Sequence, residues 1–324
     1  MKQHLRKAFI ALPLIFALAS PTLAAEFPSK PLRLLVGYAP ASGADVVARL
    51  IAESLQHTLK QSVIVENKTG AGGILAAQET ARAAPDGYTL MLAAMPQMTI
   101  LPKISKVSYD PEKDFVAISQ IVDTDLVLVV NPERVPAESM QTFVDWSKKQ
   151  DSLFFGTPGT GSVGHFGAYF FSNSVGVAVE PIHFRTTGEQ VSALVNGDIQ
   201  AEFFSSAAAL PLVNAGRLKA LLSTSPTRTA MFPDIPTSTE AGYPGMQFSS
   251  WYGVLAPADT PPDIVEKLSA SLVKATNAPA TRRKLEAAGL RVTAAPHIEF
   301  AQAMKADINR WSQAVTAAGL QFKE

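Results

Sequence analysis

The sequence contains no cysteine. That absence excludes disulfide bridges, thiolate metal sites, cysteine nucleophiles and a lipid-modified cysteine anchor. Histidine is scarce as well, with five in 324 residues. After His4 the others are widely spread, at His57, His165, His183 and His297, and no two have ligand spacing on one helix. We therefore expect neither a metal site nor a cofactor.

The chain also lacks an excess of charge of either sign. Lys and Arg total 28 and so do Asp and Glu, which makes the formal net charge zero. Without a basic excess nothing neutralises a phosphate backbone or an anionic lipid surface, and this argues against nucleic-acid and membrane-surface binding. A hydrophobic fraction of 47% with 17% charged residues is typical of a well-packed globular protein.

The N-terminal apolar run, from Ala8 to Ala19, is short. It is about twelve residues long, whereas a bilayer-spanning helix needs roughly twenty. Basic residues at positions 2, 6 and 7 precede the run, and the small-residue stretch that follows it ends at Thr22-Leu23-Ala24. This pattern predicts a signal peptide over residues 1–25, cleaved near Ala24 and Ala25, and a mature protein exported to the periplasm. An uncleaved membrane anchor is the alternative.

A mature chain of this length exceeds what one hydrophobic core usually supports, so we expect two lobes. Apolar strands alternate with amphipathic helices, which indicates an open α/β sheet. In the first unit Leu32–Tyr38 is predicted as a strand, and Asp45 is predicted to cap a helix that runs to Leu59. The unit of strand, turn and helix occurs twice in this part of the chain, and right-handed crossovers predict a parallel sheet.

The chain is predicted to cross between the lobes twice. The acidic break Asp123-Thr124-Asp125 interrupts a long apolar stretch and suits the first crossing, and Phe248–Ala256 suits the return. Residues 26–124 plus 250–324 then form lobe 1, and residues 125–249 form lobe 2. Two crossings make a hinge, and the loops at the carboxyl ends of the strands face the cleft between the lobes.

The segment Gly159–Gly164 matches the dinucleotide-binding pattern GxGxxG, follows a predicted strand, opens a predicted helix and is followed by Glu180. Three interpretations stay open at this point: a dinucleotide site, a glycine-rich turn that requires positive φ, or a carboxylate socket. In the socket, backbone N–H groups at a helix N-terminus act together with the hydroxyls of Thr157, Thr160 and Ser162.

Two more small-residue helix starts, Tyr38–Asp45 and Gly70–Gly73, lie in the first lobe. Three such helix starts favour an anion-binding clamp.

Other side chains permit competing readings. Ser162 and His165 are three residues apart at a helix start, but no oriented acid and no nucleophile-elbow pattern accompany them, which disfavours a hydrolase. His165 is then a hydrogen-bonding wall of the cleft or a core histidine. Arg185 either pairs with a ligand carboxylate or braces local structure. Trp251 and Phe204 either line the cleft or pack in the core.

Several motifs in the same order resemble the tripartite tricarboxylate transporter receptor family, the Bug-type (TctC-like) periplasmic binding proteins. The resemblance covers nearly the whole mature chain. The motifs that carry it are Phe27-Pro28-Ser29-Lys30-Pro31-Leu32-Arg33, Glu66-Asn67-Lys68-Thr69-Gly70-Ala71-Gly72-Gly73, Ala84-Pro85-Asp86-Gly87-Tyr88-Thr89-Leu90, Pro233-Asp234-Ile235-Pro236-Thr237 with Glu240, Gly242 and Tyr243, Trp251-Tyr252-Gly253 and Ala256-Pro257.

The resemblance implies a two-lobed periplasmic-binding-protein fold of the Venus flytrap type (type II). It implies a receptor without catalytic activity or cofactor, which holds a carboxylate through loop amides, hydroxyls and bridging waters. The expected membrane partners are a large and a small transporter subunit, and the expected state is a monomer. Carried over by motif position, the ligand contacts are Tyr38, Pro40, Ala41, Ser42, Gly43, Ala44, Asp45, Thr157, Gly159, Thr160, Gly161, Ser162, His165 and Ser205.

The sequence departs from the family pattern at two places. Where the family usually has Pro-Gly-Gly after the first strand, this chain has Pro40-Ala41-Ser42-Gly43, which narrows the loop and adds a hydroxyl. Thr186 also stands where a glycine is common. Ligand identity therefore does not transfer, and a dicarboxylate, tricarboxylate, aromatic acid or similar compound is expected. A role as a periplasmic sensor, presenting the bound acid to a membrane signalling protein, is the alternative.

Overall fold

The computed structural model describes residues 27–184 and 186–320, so the predicted signal peptide and Arg185 lie outside the described residues. The strands are β1 Leu32–Val36, β2 Val63–Asn67, β3 Thr89–Ala94, β4 Phe115–Thr124, β5 Leu126–Val130, β6 Leu153–Thr157, β7 Val179–His183, β8 Ala201–Ser205, β9 Lys219–Ser223, β10 Ser250–Pro257 and β11 Arg291–Pro296. The helices are α1 Gly43–Leu59, α2 Ile74–Ala81, α3 Met95–Thr99, α4 Leu101–Ile104, α5 Met140–Ser147, α6 Val163–Val175, α7 Thr187–Asn196, α8 Ser206–Asn214, α9 Pro262–Asn277, α10 Pro279–Ala287 and α11 His297–Ala317.

The first sheet has six strands in the order β11-β4-β10-β3-β1-β2. As predicted, β1 pairs in parallel with β2 and with β3. Strand β10 runs antiparallel to both β3 and β4, because it carries the chain back from the second sheet. The strands β1 and β3 are almost wholly buried, and α1 packs Val47, Ile51 and Leu55 beneath them.

The second sheet has five strands in the order β7-β6-β8-β5-β9. Strand β6 is parallel to β7 and β8, whereas β5 is antiparallel to β8 and β9. Only Asp125 separates β4 from β5, so the chain passes from one sheet to the other within a single residue. The returning segment is hydrogen-bonded to this crossing, because the Thr224 amide donates to the Leu126 carbonyl at 2.9 Å. The lobe limits at 124/125 and 249/250 stay a prediction.

The last helix, α11, joins the two layers behind the cleft. Trp311 is buried and makes edge contacts with Phe166 of α6 and Phe248 of the returning segment, at ring-centroid distances of 5.2 and 6.5 Å. Nearer the start of α11, Phe300 packs edge-on against Trp251 of β10 at 5.0 Å. One helix therefore contributes to the cores beneath both sheets.

Some elements differ from the sequence-based prediction. Ser42, and not Asp45, is the N-cap of α1, since its side chain accepts from the Asp45 amide. Helix α8 and strand β11 were not predicted. Helix α8 has no side-chain cap and contains Pro211. Strand β11 is a half-buried edge strand with Ala294 at φ 49°, so neither element has a clear sequence signal. Within the described ranges, no helix is long and apolar enough to cross a bilayer, and no His, Asp and Glu side chains cluster as a metal site.

Candidate ligand-binding cleft

A cleft of about 510 Å³ lies between the two sheets, at the carboxyl ends of β1, β3, β6 and β8. Seven of the fourteen predicted contact residues line it, namely Tyr38, Gly43, Gly159, Thr160, Gly161, Ser162 and Ser205. The other seven do not line the cleft, and they are Pro40, Ala41, Ser42, Ala44, Asp45, Thr157 and His165. The structure thus brings the two predicted glycine- and serine-rich helix starts to one cavity.

Three helices begin at the cleft wall. Gly43 opens α1, Val163 opens α6, and Ser205 precedes α8, and all three residues line the cavity. Ser162 caps α6 by accepting a hydrogen bond from the His165 amide at 3.2 Å, so its hydroxyl hydrogen stays available to a ligand. The Ser205 side chain makes no cap hydrogen bond. Helix N-termini carry partial positive charge and favour anions.

Asp45 lies beneath the loop that joins β1 to α1, and its carboxylate holds that loop in place. The carboxylate accepts from the Ala41 amide at 2.9 Å, from Asn67 Nδ2 at 2.8 Å and from Arg49 Nε at 2.8 Å. Burial opposes ionisation, but these hydrogen bonds outweigh it and hold the pKa of Asp45 below its ordinary value. Ala41 has φ 64°, a left-handed conformation that glycine adopts without strain, and the Asp45 contact stabilises it here.

Replacing Asp45 with asparagine should destabilise the protein by about 2 kcal/mol, because the carboxylate loses its charge-assisted hydrogen bonds. Because the folded pKa is lowered, the stability that Asp45 contributes is present above its unfolded pKa and is lost as the pH falls through the folded pKa. Urea unfolding from pH 7 to pH 2 checks this. The exposed Asp145→Asn is the matched control, and equal effects of the two substitutions would contradict the assigned role.

The loop Gly159–Ser162 is held from behind by two histidines. The Gly161 amide donates to Nδ1 of His165 at 3.1 Å, and His183 shares hydrogen bonds with the hydroxyls of Thr157 and Thr160. Burial, with a further effect of nearby His183, lowers the pKa of His165, which favours the neutral ring. Since Nδ1 accepts from an amide, the ring proton is on Nε2, and His165 supports the loop instead of contacting the Ser162 hydroxyl as a base.

The cleft is lined by few charged side chains. Of the described residues that line it, Asp125 is the only charged one, and no lysine, arginine or histidine joins it. An anionic group in this cavity therefore meets backbone amides and hydroxyls.

The two lobes touch on both sides of the cleft. A methyl group added to Gly161 of lobe 2 would lie 2.3 Å from Cδ1 of Ile104 in lobe 1. On the opposite side, a methyl group added to Gly289 would lie 2.5 Å from Cβ of Ala207. A side chain at Gly161 would therefore displace the end of the Ile104 side chain, whereas one at Gly289 would meet the less mobile Cβ and backbone of Ala207.

Sequence reasoning missed several residues that build the site. Asn67 pairs opposite Val36 in the sheet, which places its amide against the Tyr38 carbonyl and Asp45. Gln97 is fully buried and donates to the Gly73 carbonyl at 3.0 Å. This hydrogen bond holds the glycine-rich turn in place, and Gly72 of that turn lines the cleft. Further lining residues that were not predicted as ligand contacts are Ala94, Pro96, Leu101, Thr124, Asp125, Leu126, Pro158, Val163, Gly164, Ala207, Ser250, Tyr252, Ala288, Gly289 and Leu290.

The structure has two sheets flanked by helices, and the chain crosses between them twice. Helix N-termini and turn glycines of both halves face a common cleft, which is the architecture of a two-lobed solute-binding protein. The family model described as "Tripartite tricarboxylate transporter family receptor" (TctC) matches residues 47–320. The chain belongs to this family, which confirms the family predicted from the sequence motifs.

Solved structures agree with this assignment. MatC from Rhodopseudomonas palustris with bound malate is 31% identical, with a TM-score of 0.75 over 89% of this chain and 100% of its own. The periplasmic binding protein BugD is 27% identical, with a TM-score of 0.77 over 92% of this chain and 100% of its own. A second R. palustris protein, with adipate, is 26% identical, with a TM-score of 0.80 over 92% of this chain and 100% of its own. The predicted two-lobed α/β fold is thereby confirmed, and these proteins are binding proteins or receptors.

Proposed function

We propose that the protein is a periplasmic receptor that captures a small organic carboxylate and delivers it to the large and small membrane subunits of a tripartite tricarboxylate transporter, without catalysing a reaction. In this proposal residues 1–25 are the signal peptide, and the mature chain acts as a monomer. The ligand is a dicarboxylate, a tricarboxylate, an aromatic acid or a similar compound.

The observation that carries the proposal is the convergence of the N-termini of α1, α6 and α8 on a cleft with no basic side chain among its described lining residues. Such a cleft favours an anion through amide N–H groups and helix dipoles. A volume of about 510 Å³ suits a small organic acid with some bound water. The relatives that hold malate and adipate support the same ligand chemistry.

The hydrogen bonds that Ser162 and His165 already make support binding without catalysis. Ser162 caps α6, and His165 accepts an amide hydrogen bond, so neither is set up as a nucleophile with its base. Ligand that contacts both lobes stabilises the closed arrangement and shifts the equilibrium between open and closed forms toward it.

Ser162→Ala tests the proposed anion contact. The refolded, ligand-free mature protein is screened by thermal shift against monocarboxylates, dicarboxylates, tricarboxylates and aromatic acids. A ligand at a hundredfold excess over Kd stabilises the native state by about 2.7 kcal/mol, and we expect one class of acid to give such a shift. The substitution should abolish most of it, because it removes a hydroxyl donor at the head of α6.

The matched control is Ser139→Ala, which removes the N-cap serine of α5 outside the cleft. Both substitutions should cost about 1 kcal/mol of stability, but only Ser162→Ala should reduce the ligand-induced shift. If no carboxylate shifts the wild-type melting temperature, the ligand class is wrong. If the two variants respond equally to ligand, Ser162 is not a contact.

A further inference from the structure

His183 is the last residue of β7, and both nitrogens of its ring bond to hydroxyls near the cleft. Strand β7 pairs in parallel with β6, which places His183 opposite Thr157. Nδ1 lies 2.5 Å from the Thr157 hydroxyl, and Nε2 lies 3.1 Å from the Thr160 hydroxyl. Thr157 is fully buried, whereas Thr160 lines the cleft. The ring of His183 therefore joins a buried hydroxyl to one that a ligand can reach.

The buried Thr157 hydroxyl decides which ring nitrogen of His183 carries the proton. The oxygen of Thr157 already accepts from the Gly159 amide at 3.3 Å. Among the described residues, His183 Nδ1 is the one acceptor within reach of the Thr157 hydrogen. A proton on Nδ1 would leave that hydrogen buried without an acceptor, which is costly. Thr157 therefore donates to Nδ1, and the ring proton is on Nε2.

The hydrogen bond from Nε2 fixes what Thr160 offers to the cleft. Because the Thr160 oxygen accepts from Nε2–H, its own hydrogen points away from the ring, and no other described residue bonds to it. Ser162 is in the same state, since its oxygen accepts from the His165 amide at 3.2 Å. A hydroxyl that accepts a hydrogen bond becomes a better donor. Thr160 and Ser162 thus present two hydroxyl hydrogens, which suit a carboxylate because it only accepts.

We propose that His183 is a positioning residue for ligand binding, which holds the Thr160 hydroxyl as a hydrogen-bond donor to the ligand carboxylate without touching the ligand itself. This inference rests on the proposed carboxylate-receptor function and deepens it. The hydrogen bonds run in one direction, from the Gly159 amide through Thr157 and His183 to Thr160, and each donor points toward the ligand.

Substitutions that keep one ring nitrogen at a time separate this role from simple support of the loop. Glutamine places an amide N–H near the position of Nε2, whereas asparagine places an amide oxygen near Nδ1 and does not reach Thr160. Calorimetric titration uses malate and adipate, the acids held by two relatives. His183→Asn should weaken binding by about fivefold to tenfold, and His183→Gln by about twofold or less. The exposed His57→Asn is the matched control and should bind like the wild type.

A double substitution tests whether His183 acts through Thr160. Thr160→Val should weaken binding by about tenfold, and adding His183→Asn should then have no further effect. Full multiplication of the two losses would overturn the proposal. So would the opposite ranking of the single variants, with His183→Asn keeping affinity and His183→Gln losing it, because His183 would then act only on Thr157.

The position of the ring proton is measured without any ligand. Nitrogen-15 NMR of the histidine rings at pH 8, with the His183 signals assigned by their loss in His183→Gln, should show Nε2 protonated and Nδ1 bare. A proton on Nδ1 would overturn the positioning role even if neither acid binds. A proton on Nε2 together with binding of no acid in the thermal-shift screen would contradict the receptor proposal itself, so the two failures are distinguishable.

Discussion

Replacing Gly161 with alanine is expected to weaken ligand binding by tenfold to about a hundredfold. The added methyl group would lie 2.3 Å from Ile104 Cδ1 across the cleft, closer than carbon atoms approach each other in proteins. The lobes must then stay further apart, or Ile104 must move. Overpacking of this kind costs about 1–3 kcal/mol, and we expect it to weaken binding because a ligand held by both lobes requires them to approach. Calorimetric titration with the acid identified by the screen measures the change in Kd.

A matched control separates closure from backbone strain. Gly176 has φ 74°, nearly the same as the 77° of Gly161, but a methyl group there meets nothing within 4 Å. Gly176→Ala should therefore lose similar stability and keep its affinity. Adding Ile104→Ala to Gly161→Ala should restore much of the binding, because it removes the atoms that the new methyl group meets. Equal affinities of the two glycine variants would show that the Gly161–Ile104 contact does not govern closure.

Replacing Glu202 with glutamine should make the protein more stable at neutral and alkaline pH. Glu202 lies in the middle of the second sheet with 1% exposure, and its Oε2 has no hydrogen-bond partner. Burial raises the pKa of Glu202 to about 8. Space for the carboxyl group exists because the neighbouring residue is Gly156, where a methyl group would lie 2.6 Å from Oε2.

The sign of the pH effect follows from the raised pKa. Between the ordinary pKa of 4.5 and about 8 the folded protein holds a proton that the unfolded chain has released, so the free energy of unfolding falls as the pH rises. The loss is on the order of 3 kcal/mol by pH 7. Glu202→Gln keeps the shape of the neutral form and lacks this loss, so its advantage over wild type should grow from pH 5 to pH 8.

Urea unfolding across that pH range measures the difference. The exposed Glu180→Gln on β7, the edge strand of the same sheet, makes the same charge change and should leave the wild-type pH dependence intact. A constant difference between wild type and Glu202→Gln from pH 5 to pH 8 would contradict a protonated Glu202 in the folded protein.

The sequence predicted the elements whose signals are local. Apolar runs predicted β1 and β3, and the glycines of Gly159–Gly164 predicted a turn that opens a helix, which the structure forms with Gly159 and Gly161 at positive φ. The N-cap of α1 was misassigned, since Ser42 and Asp45 are both good capping residues and the choice depends on where Asn67 and Arg49 draw the Asp45 carboxylate.

The parts of the site that were missed depend on strand register, which a single sequence does not contain. His183 supports Thr157 because the two residues pair across β6 and β7, and Asn67 reaches the first loop because it pairs opposite Val36. The acidic break at Asp123-Thr124-Asp125 was predicted as the crossing between the lobes. Both of its carboxylates contact Arg291, which lies on an edge strand far along the chain, and this pairing has no local sequence signal.

Native mass spectrometry of the refolded mature protein, incubated with an equimolar pool of small organic acids, tests the central claim most directly. The account predicts one bound acid per chain, a single mass selected from the pool, and loss of most of that complex in Gly161→Ala but not in Gly176→Ala. A protein that retains no acid from the pool, or a Gly161→Ala variant that retains as much as the wild type, would contradict capture of a carboxylate by closure of the two lobes.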